Sequence, residues 1–399
     1  MNEKAYFLGS KRSVIREIFE YAKIRSSQIG KDNVYDFSIG NPSLPPPTEF
    51  QRALERLLKE TPSVELHGYT SAQGDRIARE KIAENLKKRF EVELDADDLY
   101  MTCGAAASLT ITLRALCVDG DEIIVVAPYF TEYKVFVEGV GAKLVVCPSD
   151  EETLLPDFSA LENLITERTK GVIINSPNTP SGVVYKRETL DRLASVLKGA
   201  KTRFGNTVYL ISDEPYRELV YEKARENRFP MRFYDDTIVC YSYSKSLSIP
   251  GERIGYIAVS KKAYENKKLY LAICGAGRML GYVCAPSLFQ RAVAECDGLT
   301  SDLSAYKRNR DLLYQGLTSL GFQCVYPDGA FYLFMKTPEK DAYAFCEKAK
   351  KYELLLVPAD DFGSKGFVRI AYCVETEKIE NAMPAFKKLA KEYGLQENL

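Results

Sequence analysis

Short apolar runs recur through the middle of the chain, separated by segments of mixed polarity. They lie at residues 123–126, 144–146, 172–174, 208–211, 238–240 and 254–259. Strands that are buried on both faces are almost continuously apolar, and most of the intervals between these runs have helical periodicity. The pattern predicts an α/β fold in which helices sandwich a mainly parallel sheet.

Towards the two ends of the chain the pattern changes to amphipathic helices with fewer strands. Residues 10–25 predict a helix that docks on a smaller domain or on a partner subunit, and its apolar stripe consists of Val14, Ile15, Ile18, Phe19 and Ala22. Further helices are predicted at 49–60, 77–90, 286–297, 301–320, 339–351 and 376–393. Strands are predicted within 322–334, 354–358 and 367–372. We therefore expect a large domain at 45–290 and a small α+β domain formed by 1–44 plus 291–399.

The composition is that of a folded, soluble protein, with 46% hydrophobic and 27% charged residues. Because the chain has 54 basic and 55 acidic residues, its charges nearly balance, and no basic surface is expected for nucleic acid or an anionic membrane. No apolar run approaches the roughly 20 residues that span a bilayer. The 10 cysteines include no Cys-x-x-Cys pair, and the N-terminus lacks a long apolar core for export. These features predict a cytoplasmic protein that acts on small molecules.

The only histidine of the chain is His67. Ser-His-Asp triads, histidine-rich zinc sites and His-Glu-x-x-His proteases each need histidines at spacings that this sequence does not supply. We expect no metal site, and we expect acid-base chemistry to fall to lysine, tyrosine or carboxylates.

The segment from Ser242 to Gly255 carries the strongest chemical signal. Lys245 comes shortly after a strand-like run and has serine residues close to it in the sequence. Arg253 follows after a Pro-Gly turn. A lysine that is desolvated at the end of a strand has a lowered pKa, and its neutral amine can form a Schiff base with an aldehyde. Arginine offers a planar fork of donors to a phosphate. The pair suggests pyridoxal phosphate, whereas the alternative is a structural lysine and a surface arginine beside a turn.

Three other positions fit such a cofactor. Asp213 ends a buried apolar run, where a carboxylate is costly unless it is paired, and a protonated pyridine nitrogen would be a matching partner. Tyr216, three residues later, could donate to the ring oxygen; the alternative is that Asp213 caps a helix. Gly104, Ala105 and Ala106 form a strand-to-helix turn whose backbone N–H groups would suit a phosphate, although any such turn can look similar.

Two further positions are unusual for their surroundings. Arg369 interrupts an apolar strand and should meet an anion, since an unpaired buried guanidinium is expensive; an internal salt bridge is the alternative. Gly40 stands where a strand leaves for a proline-rich crossing and permits close backbone approach, as an ordinary linker would too.

In their order and spacing these motifs resemble the class I/II aminotransferases, the pyridoxal 5'-phosphate enzymes of fold type I. The resemblance covers roughly residues 35–375 and is most specific at Ser-x-Ser-Lys-x4-Pro-Gly-x-Arg-x-Gly. It implies that Lys245 carries the internal aldimine of a large-domain cofactor site. The further cofactor contacts that it implies are Ser242, Ser244 and Arg253 at the phosphate, Phe130 stacked on the ring, and Tyr69 reaching the phosphate of the neighbouring subunit in a homodimer.

The sequence departs from the family at the Asn-Pro-[Thr/Ser]-Gly motif. Thr179 stands where the family has the asparagine that bonds the ring oxygen, and Asn178 precedes it. Either Thr179 supplies a shorter donor or Asn178 takes its place. The departure puts the tuning of the cofactor in doubt, but not the cofactor itself.

The resemblance implies a ping-pong aminotransferase that moves an amino group from an L-amino acid to a 2-oxo acid. Arg369 would bind the α-carboxylate beside Gly40, and Arg278 would bind the distal carboxylate of aspartate or glutamate across the subunit interface. Should apolar donors be preferred, the pocket is assigned to Tyr282 and the N-terminal segment. A β-lyase or decarboxylase on the same fold is the alternative. A ligand-sensing regulator is a further one, for which the 399 residues leave no DNA-binding segment.

Overall fold

The computed structural model describes residues 1–10, 13–221 and 228–396. Its helices are α1 (Glu3–Ser10), α2 (Val14–Ile29), α3 (Thr48–Glu60), α4 (Ser63–His67), α5 (Arg76–Phe90), α6 (Ala105–Leu116), α7 (Glu132–Gly139), α8 (Phe158–Leu164), α9 (Arg187–Phe204), α10 (Tyr243–Ser246), α11 (Asn266–Met279), α12 (Ser287–Glu295), α13 (Leu303–Ser319), α14 (Ala342–Lys350) and α15 (Thr376–Glu392). Its strands are β1 (Tyr35–Asp36), β2 (Leu99–Thr102), β3 (Glu122–Val126), β4 (Lys143–Cys147), β5 (Thr169–Asn175), β6 (Tyr209–Asp213), β7 (Thr237–Ser242), β8 (Gly255–Val259), β9 (Gln323–Val325), β10 (Tyr332–Lys336), β11 (Leu354–Leu355), β12 (Val357–Pro358) and β13 (Phe367–Ala371).

Seven strands form the central sheet, in the order β2-β8-β7-β6-β5-β3-β4. The five strands from β7 to β4 are parallel, and β8 runs antiparallel to both of its neighbours. Every apolar run predicted in this region lies on one of these strands. The predicted α/β fold with a mainly parallel, helix-flanked sheet is therefore confirmed.

The central strands are mostly apolar because both faces of the sheet are covered. Ile123 and Val125 of β3 pack in one hydrophobic cluster with residues of α6 and α7. Ile124 and Val126 point to the opposite face and pack in a second cluster with residues of α8 and α9. Successive side chains of a strand alternate between faces, so a two-sided cover leaves no polar position in the strand interior.

Helix α2 begins later than the sequence pattern predicted. The expectation was a helix over 10–25, but Ser13 caps the first turn by accepting a hydrogen bond from the Arg16 N–H, and the helix continues to Ile29. Ile18 is buried in the same cluster as Leu355 and Val357. Phe19, which was placed on the buried stripe, is 43% exposed. The stripe is narrower than predicted because the helix packs on the edge strand β12 through one face only.

Two smaller sheets lie in the other parts of the chain. Strands β12-β13-β10-β9 form an antiparallel sheet, and β1 pairs with β11 in parallel. Helices α13, α14 and α15 contribute to the hydrophobic cluster that covers the four-stranded sheet. These elements agree with the strands and helices predicted after residue 300. The division into domains at 45–290 and 1–44 plus 291–399 stays a prediction.

None of the helices in the described ranges is both long enough and apolar enough to cross a membrane.

Candidate active site

The reversal between β7 and β8 creates the centre of the site. Ser242, the last residue of β7, lies opposite Gly255, the first residue of β8, so the segment between them leaves the sheet and returns. Helix α10 occupies the start of this excursion and contains Lys245. Arg253 lies at its end with φ 49°, in the left-handed region that lets the chain turn back into β8. One excursion therefore holds both predicted cofactor contacts at the same edge of the sheet.

Lys245 is largely buried, and its Nζ donates a hydrogen bond to the carbonyl oxygen of Gly40 at 2.7 Å. The pKa of Lys245 is lowered to about 8, mainly by burial and in part by the charges of Arg253 and Arg369, while Cys373 acts in the opposite sense. A lysine with this pKa is partly uncharged near neutral pH, which is the form that acts as a nucleophile or a base.

The predicted phosphate contacts gather around Arg253. Its Nη1 donates to the Ser244 hydroxyl at 3.4 Å and its Nη2 donates to the Cys103 carbonyl oxygen at 3.3 Å. Ser242 and Ser244 hydroxyls lie 2.8 Å apart. Gly104 has φ 88°, and a Cβ there would lie 2.9 Å from Arg253 Nη2, so only glycine leaves this gap open.

Helix α6 starts at this point, with Gly104 as its N-cap and no side chain that caps it. The first N–H groups of a helix have no acceptor inside the helix, and those of Ala105 and Ala106 belong to that first turn. Together with Arg253 and two serine hydroxyls, they form a concentration of donors suited to a phosphate.

Asp213 ends β6, the strand next to β7, and is 4% exposed. The Tyr133 hydroxyl donates to its Oδ2 at 2.6 Å, while Oδ1 has no hydrogen-bond partner among the described residues. Burial raises the pKa of Asp213 to about 7, and the hydrogen bond from Tyr133 opposes that rise. A turn follows the strand, so the alternative that Asp213 caps a helix is wrong. The carboxylate instead has one oxygen available for a partner.

The side chains of Asn178 and Thr179 lie in different surroundings. Asn178 Oδ1 accepts from the N–H and the hydroxyl of Ser181, at 3.0 and 2.7 Å, so its side chain is held in its own turn. The Thr179 hydroxyl lies near that of Tyr216, although the two do not reach hydrogen-bonding geometry. Burial raises the pKa of Tyr216 well above its usual value, and Thr179 acts against that rise. The position beside Tyr216 is thus taken by the shorter side chain of Thr179.

Asn175, which ends β5, holds this arrangement together. Its Nδ2 donates to the Asp213 carbonyl oxygen at 2.8 Å, and its Oδ1 accepts from the Thr179 N–H at 2.6 Å. Thr179 comes after β5 and Asp213 ends β6. These two strands are parallel neighbours, so their carboxyl ends lie at the same edge of the sheet.

Arg369 lies on β13 and is 3% exposed. It donates to the carbonyl oxygen of Ser38, two residues before Gly40, and its Nε has no hydrogen-bond partner among the described residues. Its guanidinium lies over the ring of Tyr332, 4.7 Å from the ring centroid. Its hydrogen-bonding partner is a backbone carbonyl rather than a carboxylate, so the alternative of an internal salt bridge receives no support here. The guanidinium keeps donors available for an anion.

Two predicted residues lie away from this cluster within a single chain. Tyr69 is 99% exposed on the loop between α4 and α5. Arg278 is exposed near the end of α11. Phe130 is half-buried after β3 and packs edge-on against Tyr133 with ring centroids 5.6 Å apart, which places it next to Asp213.

The cluster fits a pyridoxal phosphate. Three of its buried polar atoms, Asp213 Oδ1, Thr179 Oγ1 and Arg369 Nε, have no partner among the described residues. Buried polar atoms are rarely left without a partner, so these atoms indicate a polar ligand. A ring nitrogen, a ring oxygen and a substrate carboxylate match them in turn.

Sequence reasoning missed Tyr133, Tyr332 and Cys373 at this site. Tyr133 lies on α7 and Tyr332 on β10, and both look like ordinary core aromatics in the sequence. Cys373 follows β13, and its thiol lies close enough to Lys245 and Arg369 for their charges to affect its pKa, which burial raises to about 12. No local signal identifies these side chains, because each reaches the site through tertiary packing.

Comparison with known proteins gives a consistent set of relatives. The family described as "Aminotransferase class I and II" matches residues 32–386. A probable aspartate aminotransferase of Methanocaldococcus jannaschii is 31% identical, with 95% of this chain and 97% of the relative covered. An aspartate/prephenate aminotransferase of Thermus thermophilus is 29% identical, with 88% and 89% covered.

Solved structures lead to the same group. An amino transferase from Eubacterium rectale has 56% sequence identity and a TM-score of 0.97, with 98% of this chain and 99% of that chain covered. An aspartate aminotransferase from Thermus thermophilus with maleate has 27% identity and a TM-score of 0.84, with 96% and 98% covered.

Proposed function

The chain belongs to the aminotransferase class I and II family, and from that premise we propose that it binds pyridoxal 5'-phosphate on Lys245 and follows a ping-pong reaction. An L-amino acid would give its amino group to the cofactor, leave as a 2-oxo acid, and be followed by a second 2-oxo acid that takes the group. We place this reaction in the cytoplasm. The proposal is carried by three buried atoms, one each in Asp213, Thr179 and Arg369, that have no hydrogen-bond partner within the described ranges.

The cofactor, when bound, supplies an aldehyde that links to amines and a ring that withdraws electrons from the substrate. The Lys245 amine, partly uncharged because of burial, would take the proton from the substrate α-carbon and deliver it to the carbon of the cofactor that held the aldehyde. Asp213 would hold a protonated ring nitrogen, and Tyr216 with Thr179 would lie at the ring oxygen. Arg369 orients the substrate by its α-carboxylate, since a planar guanidinium matches a carboxylate in two parallel hydrogen bonds.

The test of the proposed function is a single half-reaction with a panel of amino donors. The purified holoenzyme is mixed with each donor, and the loss of the visible absorption of the bound cofactor is recorded with the 2-oxo acid that is released. A transaminase yields one 2-oxo acid per site and then stops until an acceptor is added. Continuous release of pyruvate and ammonia would instead establish the β-lyase alternative.

For the donor we propose a dicarboxylic amino acid, aspartate or glutamate. The proposal is supported by relatives whose names specify aspartate and by the exposed position of Arg278, which is available to a neighbouring subunit. Arg278→Ala is expected to lower kcat/KM for aspartate roughly 10² to 10³-fold, because breaking a desolvated charge pair costs about 3–5 kcal/mol. Alanine and leucine should be spared. Equal losses for all donors would indicate that Arg278 only pairs with a carboxylate at the dimer interface. A wild-type preference for apolar donors would move the pocket to Tyr282 and the N-terminal segment.

If Tyr69 and Arg278 serve the active site of a neighbouring subunit, the protein must form a dimer, and we propose a homodimer. Large apolar side chains are exposed close to both outlying residues: Met279, Leu280, Tyr282 and Val283 follow Arg278 and are 72, 40, 40 and 44% exposed. The Cys284 thiol donates to the Thr70 carbonyl oxygen, so this segment and the Tyr69 loop form one surface. A contiguous apolar surface of this kind marks a protein interface.

Subunit mixing tests whether Tyr69 serves the partner's site. Lys245→Ala subunits should be inactive, and Tyr69→Phe subunits should lose about tenfold, since a hydrogen bond to a charged group is worth about 1.5–3 kcal/mol. After exchange, a mixed dimer carries both lesions in one site and leaves the other intact. We expect the mixture to exceed the activity of Tyr69→Phe alone. No gain under demonstrated exchange would count against the shared site.

Arg253→Ala is expected to weaken cofactor retention about 10- to 100-fold, because a charge-assisted hydrogen bond is worth about 1.5–3 kcal/mol. The measurement is the cofactor dissociation constant after dialysis and reconstitution. Arg52→Ala, which removes an exposed arginine of α3, serves as the control and should leave retention unchanged. An unchanged constant for Arg253→Ala would locate the phosphate elsewhere.

A further inference from the structure

Tyr332 connects the four-stranded sheet to the cofactor pocket through a hydroxyl pair. It begins β10, is 3% exposed, and its Oη lies 3.1 Å from the Oη of Tyr216. The two rings pack edge-on with centroids 5.9 Å apart. The proposed donor to the ring oxygen, Tyr216, therefore has a hydrogen-bond partner of its own, which comes from a different sheet.

The backbone is shaped to let the Tyr332 hydroxyl reach this position. A Cβ on Gly40 would lie 1.7 Å from Tyr332 Oη, so any other residue at 40 would displace the ring. The carbonyl oxygen of the same Gly40 accepts the hydrogen bond from Lys245 Nζ at 2.7 Å. The Tyr332 hydroxyl and the Lys245 amine therefore both contact Gly40, the first at its α-carbon and the second at its carbonyl oxygen.

Arg369 lies on the other side of Tyr332. Its guanidinium is 4.7 Å from the Tyr332 ring centroid, and β13 pairs with β10 so that the two residues lie on neighbouring strands. Burial raises the pKa of Tyr332, while the positive charge of Arg369 opposes that rise. The pKa of Tyr216 is raised well above its usual value, first by burial. Either hydroxyl of the pair can donate, and in the arrangement in which Tyr332 donates, Tyr216 keeps its own proton for the pocket.

We propose that Tyr332 is a positioning residue that couples the binding of a carboxylate at Arg369 to the hydrogen bond that Tyr216 makes with the cofactor's ring oxygen. The proposal rests on the proposed function, because it needs the cofactor in the pocket. A carboxylate on Arg369 neutralises the charge above Tyr332, which makes Tyr332 a weaker donor. Tyr216 then becomes a weaker donor too, since hydrogen bonds in a chain polarise one another.

The presence of Thr179 makes the coupling through Tyr332 and Tyr216 more important. Its hydroxyl is shorter than an amide, faces Tyr216, and has no hydrogen-bond partner among the described residues. Stabilisation of the ring oxygen therefore depends mainly on Tyr216, and the strength of that donor depends on Tyr332.

Other charges also act on the hydroxyl pair and must stay constant in a test. Arg369 lies nearest, from β13, and the Cys373 thiol follows the same strand. Lys245 is close enough to Arg369 and Cys373 for their charges to affect its pKa. The hydrogen-bonded pair of Asp213 and Tyr133 also lies near Tyr216. A phenylalanine at 332 leaves all of these groups in place and removes only one hydroxyl.

The test is a pH titration of the visible absorption band of the holoenzyme in wild type, Tyr332→Phe, Tyr216→Phe and the double variant. We expect Tyr332→Phe to raise the pH midpoint by about 0.5–1 unit, a threefold to tenfold change in proton affinity, because a weaker donor stabilises the anionic ring oxygen less. In the Tyr216→Phe background, the second substitution should cause no further shift, because Tyr332 acts only through Tyr216.

The coupling is measured by repeating the titrations with saturating maleate or acetate, neither of which can react. The wild-type midpoint should rise when the carboxylate binds, and in Tyr332→Phe this rise should fall to less than half. Tyr343→Phe, on the exposed side of α14, is the matched control and should behave as wild type.

Three results would overturn the coupling: an unchanged or lowered midpoint in Tyr332→Phe, an equal shift in the Tyr216→Phe background, or an undiminished carboxylate effect. A wild-type protein that develops no visible band with the cofactor would instead refute the proposed function. The two failures are therefore distinguishable in one set of spectra.

Discussion

Lys245→Ala is expected to abolish turnover, with a loss on the order of 10⁴-fold or more. Lys245 is the amine with a pKa lowered to about 8, and it lies between the phosphate donors at Arg253 and the anion donors at Arg369. The substitution removes both the covalent link to the cofactor and the proton carrier. Proton transfer by a positioned side chain alone is worth about 10²–10⁴ in rate.

The measurement is steady-state turnover of the purified variant with its best donor, together with its circular dichroism spectrum and its cofactor content. We expect the fold and the phosphate contacts to persist, because Ser242, Ser244 and Arg253 are untouched. Lys267→Ala on the exposed face of α11 is the matched control. Turnover of Lys245→Ala within tenfold of wild type would remove Lys245 from the mechanism.

The sequence predicted the central sheet well because its strands are buried on both faces. Runs such as 123–126 carry no polar position, and that feature is independent of what packs on them. The reversal of β8 was not predicted, since the run at 254–259 is equally apolar in either direction. The start of helix α2 was misplaced because Ser10 and Ser13 are both possible N-caps in the sequence, and Ser13 is the one that caps the helix. Phe19 follows the buried Ile18 and is exposed, which the apolar pattern alone did not distinguish.

The candidate site was predictable where residues follow parallel strands. Asp213 and Lys245 follow the neighbouring strands β6 and β7, so they had to meet at one edge of the sheet. Tyr332 and Tyr133 were not predictable, because each reaches the site from another layer of the fold. The choice between Thr179 and Asn178 also needed coordinates, since only these show that Ser181 holds the Asn178 side chain.

Hydrogen bonds within the protein orient the polar groups of this site before a ligand binds. Asn175 fixes Asp213 and Thr179 relative to each other, and Tyr133 fixes the Asp213 carboxylate. Each of these contacts uses one polar atom and leaves a neighbouring atom available. A buried group with one satisfied and one available atom is oriented before the ligand arrives, which reduces the entropy that binding must overcome.

Asp213→Asn is expected to lower kcat/KM roughly 10² to 10³-fold. In the structure the carboxyl has a pKa raised to about 7 by burial, and Tyr133 occupies Oδ2 only. A protonated ring nitrogen at Oδ1 would restore the charged carboxylate, and breaking such a buried pair by removing one partner costs about 3–5 kcal/mol. Asparagine keeps the shape of the side chain but supplies no negative charge.

The matched control is Tyr133→Phe, which keeps the Asp213 carboxylate and removes one hydrogen bond. We expect it to lose only about tenfold, because a hydrogen bond to a charged group is worth about 1.5–3 kcal/mol. Without that bond, which opposes the effect of burial, the pKa of Asp213 should rise, so the activity of Tyr133→Phe should fall at a higher pH than that of wild type as the pH is lowered. The measurement is kcat/KM against pH for both variants. If Asp213→Asn retains activity within threefold of wild type, the carboxylate does not hold the ring nitrogen, and the available oxygen of Asp213 requires another partner.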